Sequence, residues 1–294
     1  MRIGIISSQK NPQDFKTWIR YHVDVGIEAF YICIEETPAL GPAMTAYAQE
    51  LSALTGKNVT VYYENAAPVD RSKEDNFTDI LGRQQERVNR MLVRARNDNF
   101  PWVFHLDDDE LAYPGTTKQI STWQEVLGGV DKSCASIHIT NWEGFSPENP
   151  SSSWGTDSGV QYLTRECAHH FAAYANGKSA SRTLETQSAH GVHHFTGGKE
   201  CELPEKSGVV LHHESLAMHA NDVPPVRWQE KHLLRAKDDM SRIPFPATHD
   251  AVKAVVSGDA RLMEETWKRY RSVTGEKFKA CKTPVQLSLP SHFY

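Results

Sequence analysis

The first hundred residues alternate between short apolar runs and longer segments whose apolar residues recur every three or four positions. The apolar runs, rich in β-branched and aromatic residues, predict strands at residues 2–7, 29–34, 59–63 and 102–106. Strands joined by helices of twelve or more residues need crossover connections, which are nearly always right-handed. The chain is therefore expected to have an α/β fold with a mostly parallel central sheet flanked by helices.

Helical patterns occupy the connections and the end of the chain. The first follows Asn11-Pro12 and ends at Gly26, the second ends at Gly56, and the third covers about residues 75–98. Further amphipathic segments follow Val226. We find no internal repeat or linker, so we expect one domain over 1–294, with a nucleotide-binding lobe at 1–115, an acceptor-binding lobe at 116–225 and a helical C-terminal extension at 226–294.

Charge and composition exclude several classes of protein. The net charge is −5 and the pI about 6.3, which argues against a general nucleic-acid binder. No apolar run is long enough to span a membrane, and the first run turns polar after Ile6, so we expect no signal peptide and a soluble, cytoplasmic protein. Five scattered cysteines without a C-x-x-C pair predict reduced thiols rather than disulfides or a cysteine zinc site.

Four consecutive acids follow the fourth predicted strand, as Asp107, Asp108, Asp109 and Glu110. In open parallel sheets, ligands bind at the carboxyl ends of the strands. Neighbouring carboxylates repel one another unless a cation neutralises them, and hard carboxylate oxygens suit Mg²⁺ or Mn²⁺. If strand geometry continues, Asp107 and Asp109 point to one side of the sheet as a D-x-D pair. The alternative is a solvated acidic turn.

Histidines are concentrated between residues 190 and 219. A zinc site is one interpretation, although no H-E-x-x-H helix is present. Single histidines such as His22, His138 and His232 are expected to have structural roles. His212 differs, because it ends the apolar run GVVL and so lies at a predicted strand terminus.

Together these stretches resemble the glycosyltransferases of the GT-A fold, and most closely family 92 and related family-2-like proteins. The acidic signature after a hydrophobic strand carries the resemblance, and three further stretches support it: Lys10-Asn11 with Trp18, Tyr21-His22 and Gly26; Trp142 with Phe145; and Gly177-Lys178-Ser179 with His190 or His193, Leu211-His212, Ser215, Trp228 and Lys231. The sequence departs from the family pattern at Pro12, Lys16 and His213, where an acid, a glutamate and an aromatic residue are usual.

The resemblance implies a Rossmann-like nucleotide-binding fold and the transfer of a sugar from a nucleotide-sugar donor, with a UDP-sugar favoured, to a glycan hydroxyl, with inversion. It implies a Mn²⁺ or Mg²⁺ ion held by Asp109 and His212, with His213 as the alternative to His212. Asp107 would contact the ribose, or the metal through water.

Other site residues follow from the resemblance or from position. Ser7, Lys10 and Asn11, with Asn65 or Asp70, would contact the nucleoside, although Asn11 could instead cap a helix. Lys178 and Arg182 would neutralise the diphosphate, or else form a basic surface loop. The candidates for the catalytic base are Asp157 and Glu143, which are favoured, and Glu185, while Trp142 and Trp154 would stack on acceptor sugars or pack in the core.

The sequence is also consistent with two other functions. The same acids and histidines could serve a Mg²⁺- or Zn²⁺-dependent phosphohydrolase. The chain could also be a non-catalytic carbohydrate-binding protein of the same fold.

Overall fold

A computed structural model describes residues 1–10, 12, 14–66, 77–116, 119–145, 161–164, 177–213, 226–242, 246–269 and 285–286. The strands are β1 Ile3–Lys10, β2 Ala29–Glu35, β3 Thr60–Asn65, β4 Trp102–His105, β5 Glu110–Thr116, β6 Gln119–Ile120, β7 Cys134–Ile139, β8 Asn141–Phe145, β9 Gln161–Leu163, β10 Lys178–Arg182, β11 Ser188–His190, β12 His194–Thr196, β13 Lys199–Glu202, β14 Gly208–His212 and β15 Val285–Gln286. The helices are α1 Phe15–Asp24, α2 Leu40–Thr55, α3 Phe77–Asn97, α4 Trp123–Gly128, α5 Val226–Arg235, α6 Pro246–Ser257 and α7 260–269, with a 3₁₀ turn at Met240–Arg242.

The main sheet has seven strands in the order β13-β7-β10-β4-β1-β2-β3. The neighbours β3, β2, β1 and β4 run parallel, as do β7 and β13, whereas β10 is antiparallel to both β4 and β7. Helices α1 and α2 pack on one face through residues such as Trp18 and Met44, and α3 packs on the other through Val88 and Met91. The expected α/β class, with a mostly parallel sheet flanked by helices, is confirmed.

A second sheet has six strands, in the order β15-β9-β8-β14-β5-β6. The sequence did not predict it, because its strands are short and come from segments distant in sequence. Strand β14 is its centre, antiparallel to β5 and parallel to β8. Strand β5 begins at Glu110, so the acidic turn joins the two sheets.

Helix α1 connects the two sheets through side-chain hydrogen bonds. Its N-cap is Asp14, whose carboxylate accepts from the Thr17 amide, so Asn11 is not the cap. The buried Trp18 indole donates to the Glu110 carbonyl at 2.9 Å, and the Tyr21 hydroxyl donates to the Ala112 carbonyl at 3.2 Å. These bonds hold the start of β5 against α1.

His22 is buried in α1 with both ring nitrogens in use. Its Nδ1 bonds to the Trp18 carbonyl at 2.8 Å, and its Nε2 accepts the Ala112 amide at 3.2 Å, so the ring is the neutral Nδ1–H tautomer. Burial lowers the pKa of His22 to about 3, and the bond to Trp18 offsets only part of that effect. The structural role that the sequence predicted for His22 agrees with these contacts.

We expect His22 to make the protein acid-sensitive. A depressed folded-state pKa gives stability that is present above the unfolded-state pKa of about 6.5 and is lost as the pH falls towards the folded-state value, by up to about 1.4 kcal/mol per pH unit. His22→Gln should therefore flatten the fall in unfolding free energy measured by urea denaturation between about pH 7 and pH 5. An unchanged slope in the variant would contradict a neutral, buried imidazole at this position.

Cys134 of β7 and Cys201 of β13 form a disulfide, with Cα atoms 5.8 Å apart. The expectation of reduced thiols is therefore wrong for this pair, and Cys33 is the free cysteine within the described ranges. The two cysteines are 67 residues apart, and only the parallel pairing of β7 with β13 brings them together. Sequence spacing could not show that pairing.

Removing this disulfide should destabilise the protein by about 4 kcal/mol, because the bond closes a long loop in the unfolded chain. The double variant Cys134→Ala/Cys201→Ala should show this loss in urea denaturation. Dithiothreitol should lower the stability of the wild type by a similar amount and leave the double variant unchanged. A wild type that is insensitive to reductant would contradict the pairing.

Helices α5, α6 and α7 agree with the amphipathic segments expected after Val226, and residues 285–286 form β15, which pairs with β9. Helices α5, α6 and α7 enclose a small cluster of their own around Trp228 and Trp267, whose ring centroids are 5.4 Å apart. Within the described part of the chain, no helix has both the length and the apolar character needed to cross a membrane.

Candidate active site

The acidic turn lies at the carboxyl edge of the parallel strands. Strand β4 ends at His105, Asp108 and Asp109 form a turn, and Glu110 begins β5. The Glu110 carboxylate folds back to accept the Asp107 amide at 2.8 Å. The strand therefore ends before the acids. The prediction that Asp107 and Asp109 point to one side of the sheet as consecutive strand residues is wrong.

Lys178 lies within ion-pair distance of two of the four acids. Its side chain is fully buried, with Nζ 2.6 Å from Asp107 Oδ2 and 3.3 Å from Glu110 Oε2. Strand β10 places it there, since Lys178 is the first residue of that strand, beside the carboxyl end of β7. The alternative of a basic surface loop is wrong for Lys178.

The charges of this group are strongly coupled. Burial acts to raise the pKa of Asp107, but the Lys178 ammonium outweighs it and holds that pKa well below its usual range. Burial raises the pKa of Glu110 to about 8 against the opposing effect of Lys178, so Glu110 is mostly protonated at neutral pH. Burial would lower the pKa of Lys178, but the two acids raise it above its ordinary value. Lys178 therefore pairs chiefly with Asp107 at neutral pH.

Of the other two acids, Asp108 and Asp109, it is Asp109 that faces His212. The distance from His212 Nε2 to Asp109 Oδ2 is 3.8 Å. His212 Nδ1 lies 2.9 and 3.1 Å from the two carboxylate oxygens of Glu143. The Asn141 amide in turn donates to Glu143 Oε1 at 2.7 Å. Glu143 thus fixes the Nδ1–H tautomer, which directs the Nε2 lone pair towards Asp109.

The second sheet sets this arrangement through its registers. His212 pairs with Glu110 across β14 and β5, and with Glu143 across β14 and β8. The backbone amide of His213 donates to the Asp109 carbonyl at 2.9 Å, which closes the turn onto the end of β14. Three chain segments therefore meet at one point at the sheet edge.

His213 has different surroundings from His212. Its ring is buried, its Nε2 bonds to the Tyr162 hydroxyl at 2.9 Å, and burial lowers its pKa to about 3. Its backbone amide donates to the Asp109 carbonyl. The contacts of the two rings favour His212 as the side chain that faces the acid.

Three buried polar side chains near the turn have no hydrogen-bond partner among the described residues: the Ser7 hydroxyl, the Gln9 amide and both ring nitrogens of His105. Ser7 and Gln9 lie on one face of β1, two residues apart. Burial lowers the pKa of His105 to about 3, and Lys178 adds to that effect. Buried polar groups usually have a hydrogen-bond partner, so these three side chains at the carboxyl edge of the sheet are available to bind a ligand or water.

Other residues predicted for the site lie in several places. Lys10 and Asn65 end β1 and β3 at the same carboxyl edge, and Asn65 is exposed. The structure does not bring Arg182 to the turn: it pairs with Trp102 at the start of β4, about 13 Å along β10 from Lys178. Glu185 is in the turn that follows Arg182.

Trp142 is buried in the main core, which agrees with the core alternative. Asn11, Asp70, Trp154 and Asp157 lie outside the described residues, so their proposed roles stay predictions.

Gln84 and the structural role of Glu110 were missed in the sequence analysis. The Gln84 amide donates to Asp107 Oδ1 at 2.6 Å. Gln84 lies four residues before Val88, which is on the buried stripe of α3, so helical spacing could have identified it. No local signal showed that Glu110 would be buried beside Lys178, because that contact depends on the position of β10.

Comparisons with known proteins give one matching family and two similar proteins. Residues 6–248 match the family model of glycosyltransferase family 92. Two similar proteins of Arabidopsis thaliana are each named glycosyltransferase-like. One is 24% identical over 209 residues, covering 60% of this chain and 45% of the relative, and the other is 21% identical over 226 residues, covering 67% and 43%. The chain thus spans less than half the length of these relatives.

Proposed function

Because this chain belongs to glycosyltransferase family 92, we propose that it transfers a sugar from a nucleotide-sugar donor to a hydroxyl acceptor with the help of a divalent cation. The observation that carries the proposal is the convergence of Asp109 and His212 at the carboxyl edge of the parallel strands, with Glu143 orienting the imidazole. A UDP-sugar donor, a glycan acceptor and inversion at the sugar are parts of the proposal that come from the family resemblance.

The side chains of Asp109 and His212 suit a divalent cation. A carboxylate oxygen and an imidazole nitrogen 3.8 Å apart are spaced for two ligands of one ion, and hydrogen-bonded histidine–carboxylate pairs commonly support metal ligands. Mn²⁺ accepts both kinds of ligand, and Mg²⁺ favours the oxygen. Asp109 and His212 would hold the ion. Asp107 would contact the ribose, or the ion through water. When bound, the ion offsets the negative charge that develops on the departing diphosphate.

The chain's own residues prepare the rest of the site. Lys178 holds Asp107 in place and keeps it ionised, while Gln84 fixes its other oxygen. Ser7 and Gln9 offer unpaired polar atoms beside the turn, which supports their contacting the nucleoside. The role of Arg182 in neutralising the diphosphate is not part of the proposal, because Arg182 lies at the far end of β10.

The position of Glu143 favours a positioning role over that of the base. Its side chain is about 3% exposed, and His212 and Asn141 engage its carboxylate. A base must reach the acceptor hydroxyl, directly or through one water. Glu185 lies in the turn after Arg182, at the far end of β10, so Asp157 is the proposed base.

Glu143→Gln distinguishes the two roles. If Glu143 positions His212, the variant should bind Mn²⁺ with UDP about tenfold more weakly, since partners of metal ligands affect affinity by 10–100-fold. Calorimetry with UDP in the presence of Mn²⁺ measures this change. Normal affinity combined with lost turnover would instead assign the general base to Glu143.

The proposed function is tested by incubating a panel of nucleotide sugars with the protein and Mn²⁺ and measuring slow donor hydrolysis. We expect metal-dependent release of a nucleoside diphosphate and a free sugar from at least one donor, with a UDP-sugar first among them. UDP alone is the control, because a phosphohydrolase would release inorganic phosphate from it. Binding without hydrolysis of any donor would favour a non-catalytic carbohydrate-binding protein, and no binding would reject the proposal.

A further inference from the structure

A second group of side chains that could hold a metal ion, with no residue in common with the acidic turn, lies on the main sheet. His138 of β7, His194 of β12 and Glu200 of β13 each offer one ligand atom, and these atoms lie within 4.8 Å of one another. The two imidazole rings stack with centroids 4.9 Å apart, and His194 Nδ1 lies 3.1 Å from Glu200 Oε2. We call these residues the His138–His194–Glu200 cluster.

Strand pairing brings the cluster together. Strand β13 runs parallel to β7 with Glu200 opposite Ser136, so Glu200 and His138 lie on the same face of the sheet. The hairpin of β11 and β12 contacts β10 on the main sheet and supplies His194. The three residues are separated by up to 62 positions, which is why the sequence predicted only a structural role for His138.

The surroundings hold the cluster in place. Gly177 has a φ of +62°, and a Cβ there would lie 2.7 Å from His138 Cε1, so only glycine leaves room for this ring position. The Ser179 hydroxyl lies 3.3 Å from Glu200 Oε1 and 2.7 Å from the His193 carbonyl. The disulfide at Cys201 fixes the residue next to Glu200 to β7.

We propose that the His138–His194–Glu200 cluster binds a zinc ion. Two imidazoles and one carboxylate are a frequent ligand set for zinc, and they leave a fourth position for water. Ligand atoms of a tetrahedral zinc lie about 3.4 Å apart, so small side-chain rotations complete the site. The side chains of His194 and Glu200 are 40% and 34% exposed, which gives the ion and the water access from solvent.

The zinc site is independent of the proposed glycosyltransferase activity. Its nitrogen-rich ligand set selects a different ion from the oxygen-rich acidic turn. A bound ion would join β7, β12 and β13, three strands that pair or pack at one end of the sheet. Zinc binding is therefore expected to raise the unfolding temperature, because an ion that binds only the folded state stabilises it.

The test is calorimetric titration of zinc chloride into the full chain carrying Asp109→Asn, which weakens binding at the acidic turn. We expect about one equivalent of zinc to bind with micromolar or tighter affinity. Adding His194→Ala or Glu200→Gln should weaken binding at least tenfold, since even partners of metal ligands have effects of that size. His190→Ala is the matched control, because it removes an exposed histidine of the same hairpin that is outside the cluster.

Thermal unfolding gives a second readout. Zinc should raise the unfolding temperature of the His190→Ala protein and leave that of the His194→Ala protein unchanged. The proposal is overturned if no zinc binds, if His194→Ala and Glu200→Gln bind as tightly as their parent, or if His190→Ala weakens binding as much as they do. Circular dichroism confirms that each variant is folded before titration.

Discussion

Replacing Asp109 with asparagine is expected to lower metal-dependent hydrolysis of the nucleotide sugar at least about 100-fold, the size of effect seen when one charge-stabilising group is lost. The substitution removes the carboxylate charge that faces His212 but keeps the side-chain shape. The Asp109 carbonyl still accepts the His213 amide, so the turn should keep its structure. The free energy of unfolding should change by less than about 1 kcal/mol.

Asp108→Asn is the matched control for this prediction. It removes one carboxylate from the same turn without changing either residue of the Asp109–His212 pair. We expect its turnover to remain within about threefold of wild type, since the half-buried Asp108 is not one of the proposed metal ligands. Equal losses in the two variants would show that the overall charge of the turn matters, and not the pairing of Asp109 with His212.

Replacing Lys178 with methionine is expected to destabilise the protein by about 3–5 kcal/mol, the usual result of removing one partner of a buried ion pair. Methionine fills a similar volume but leaves the Asp107 carboxylate without its ammonium partner. Glu110, whose pKa is raised to about 8, is mostly neutral at pH 7 and contributes less to the loss. Urea denaturation at neutral pH measures the change.

The double variant Lys178→Met/Asp107→Asn separates charge from packing. Removing both charges should recover more than half of the lost stability, because the penalty comes mainly from the uncompensated carboxylate. The interaction energy of the double-mutant cycle then measures the pair directly. If the double variant is as unstable as Lys178→Met alone, lost packing rather than charge would explain the effect.

The central sheet could be predicted because its signals are local. Each of the parallel strands β1 to β4 is a short apolar run next to helices with clear periodicity, and right-handed crossovers leave few ways to arrange them. Gly26 and Gly56 also follow their helices as predicted, both with positive φ. The strand pairing of the second sheet had no such signal, because β8 and β14 are five-residue strands that pair across more than sixty positions.

The candidate site was predictable in part for the same reason. Asp109 and His212 each follow or end an apolar run, so both were expected at strand ends. Their partners depend on long-range pairing: Glu143 reaches His212 only because β8 lies beside β14. Lys178 was placed with the diphosphate, yet its described contacts are with Asp107 and Glu110, which no local pattern could show. The Cys134–Cys201 bond was missed for this reason too.

The most direct test of the account is anomalous diffraction from crystals of the protein soaked with Mn²⁺ and UDP. We expect one strong manganese peak within about 2.0–2.3 Å of an Asp109 carboxylate oxygen and of His212 Nε2, with the diphosphate of UDP against it. A peak away from both residues, or nucleotide bound without metal at the acidic turn, would contradict the account.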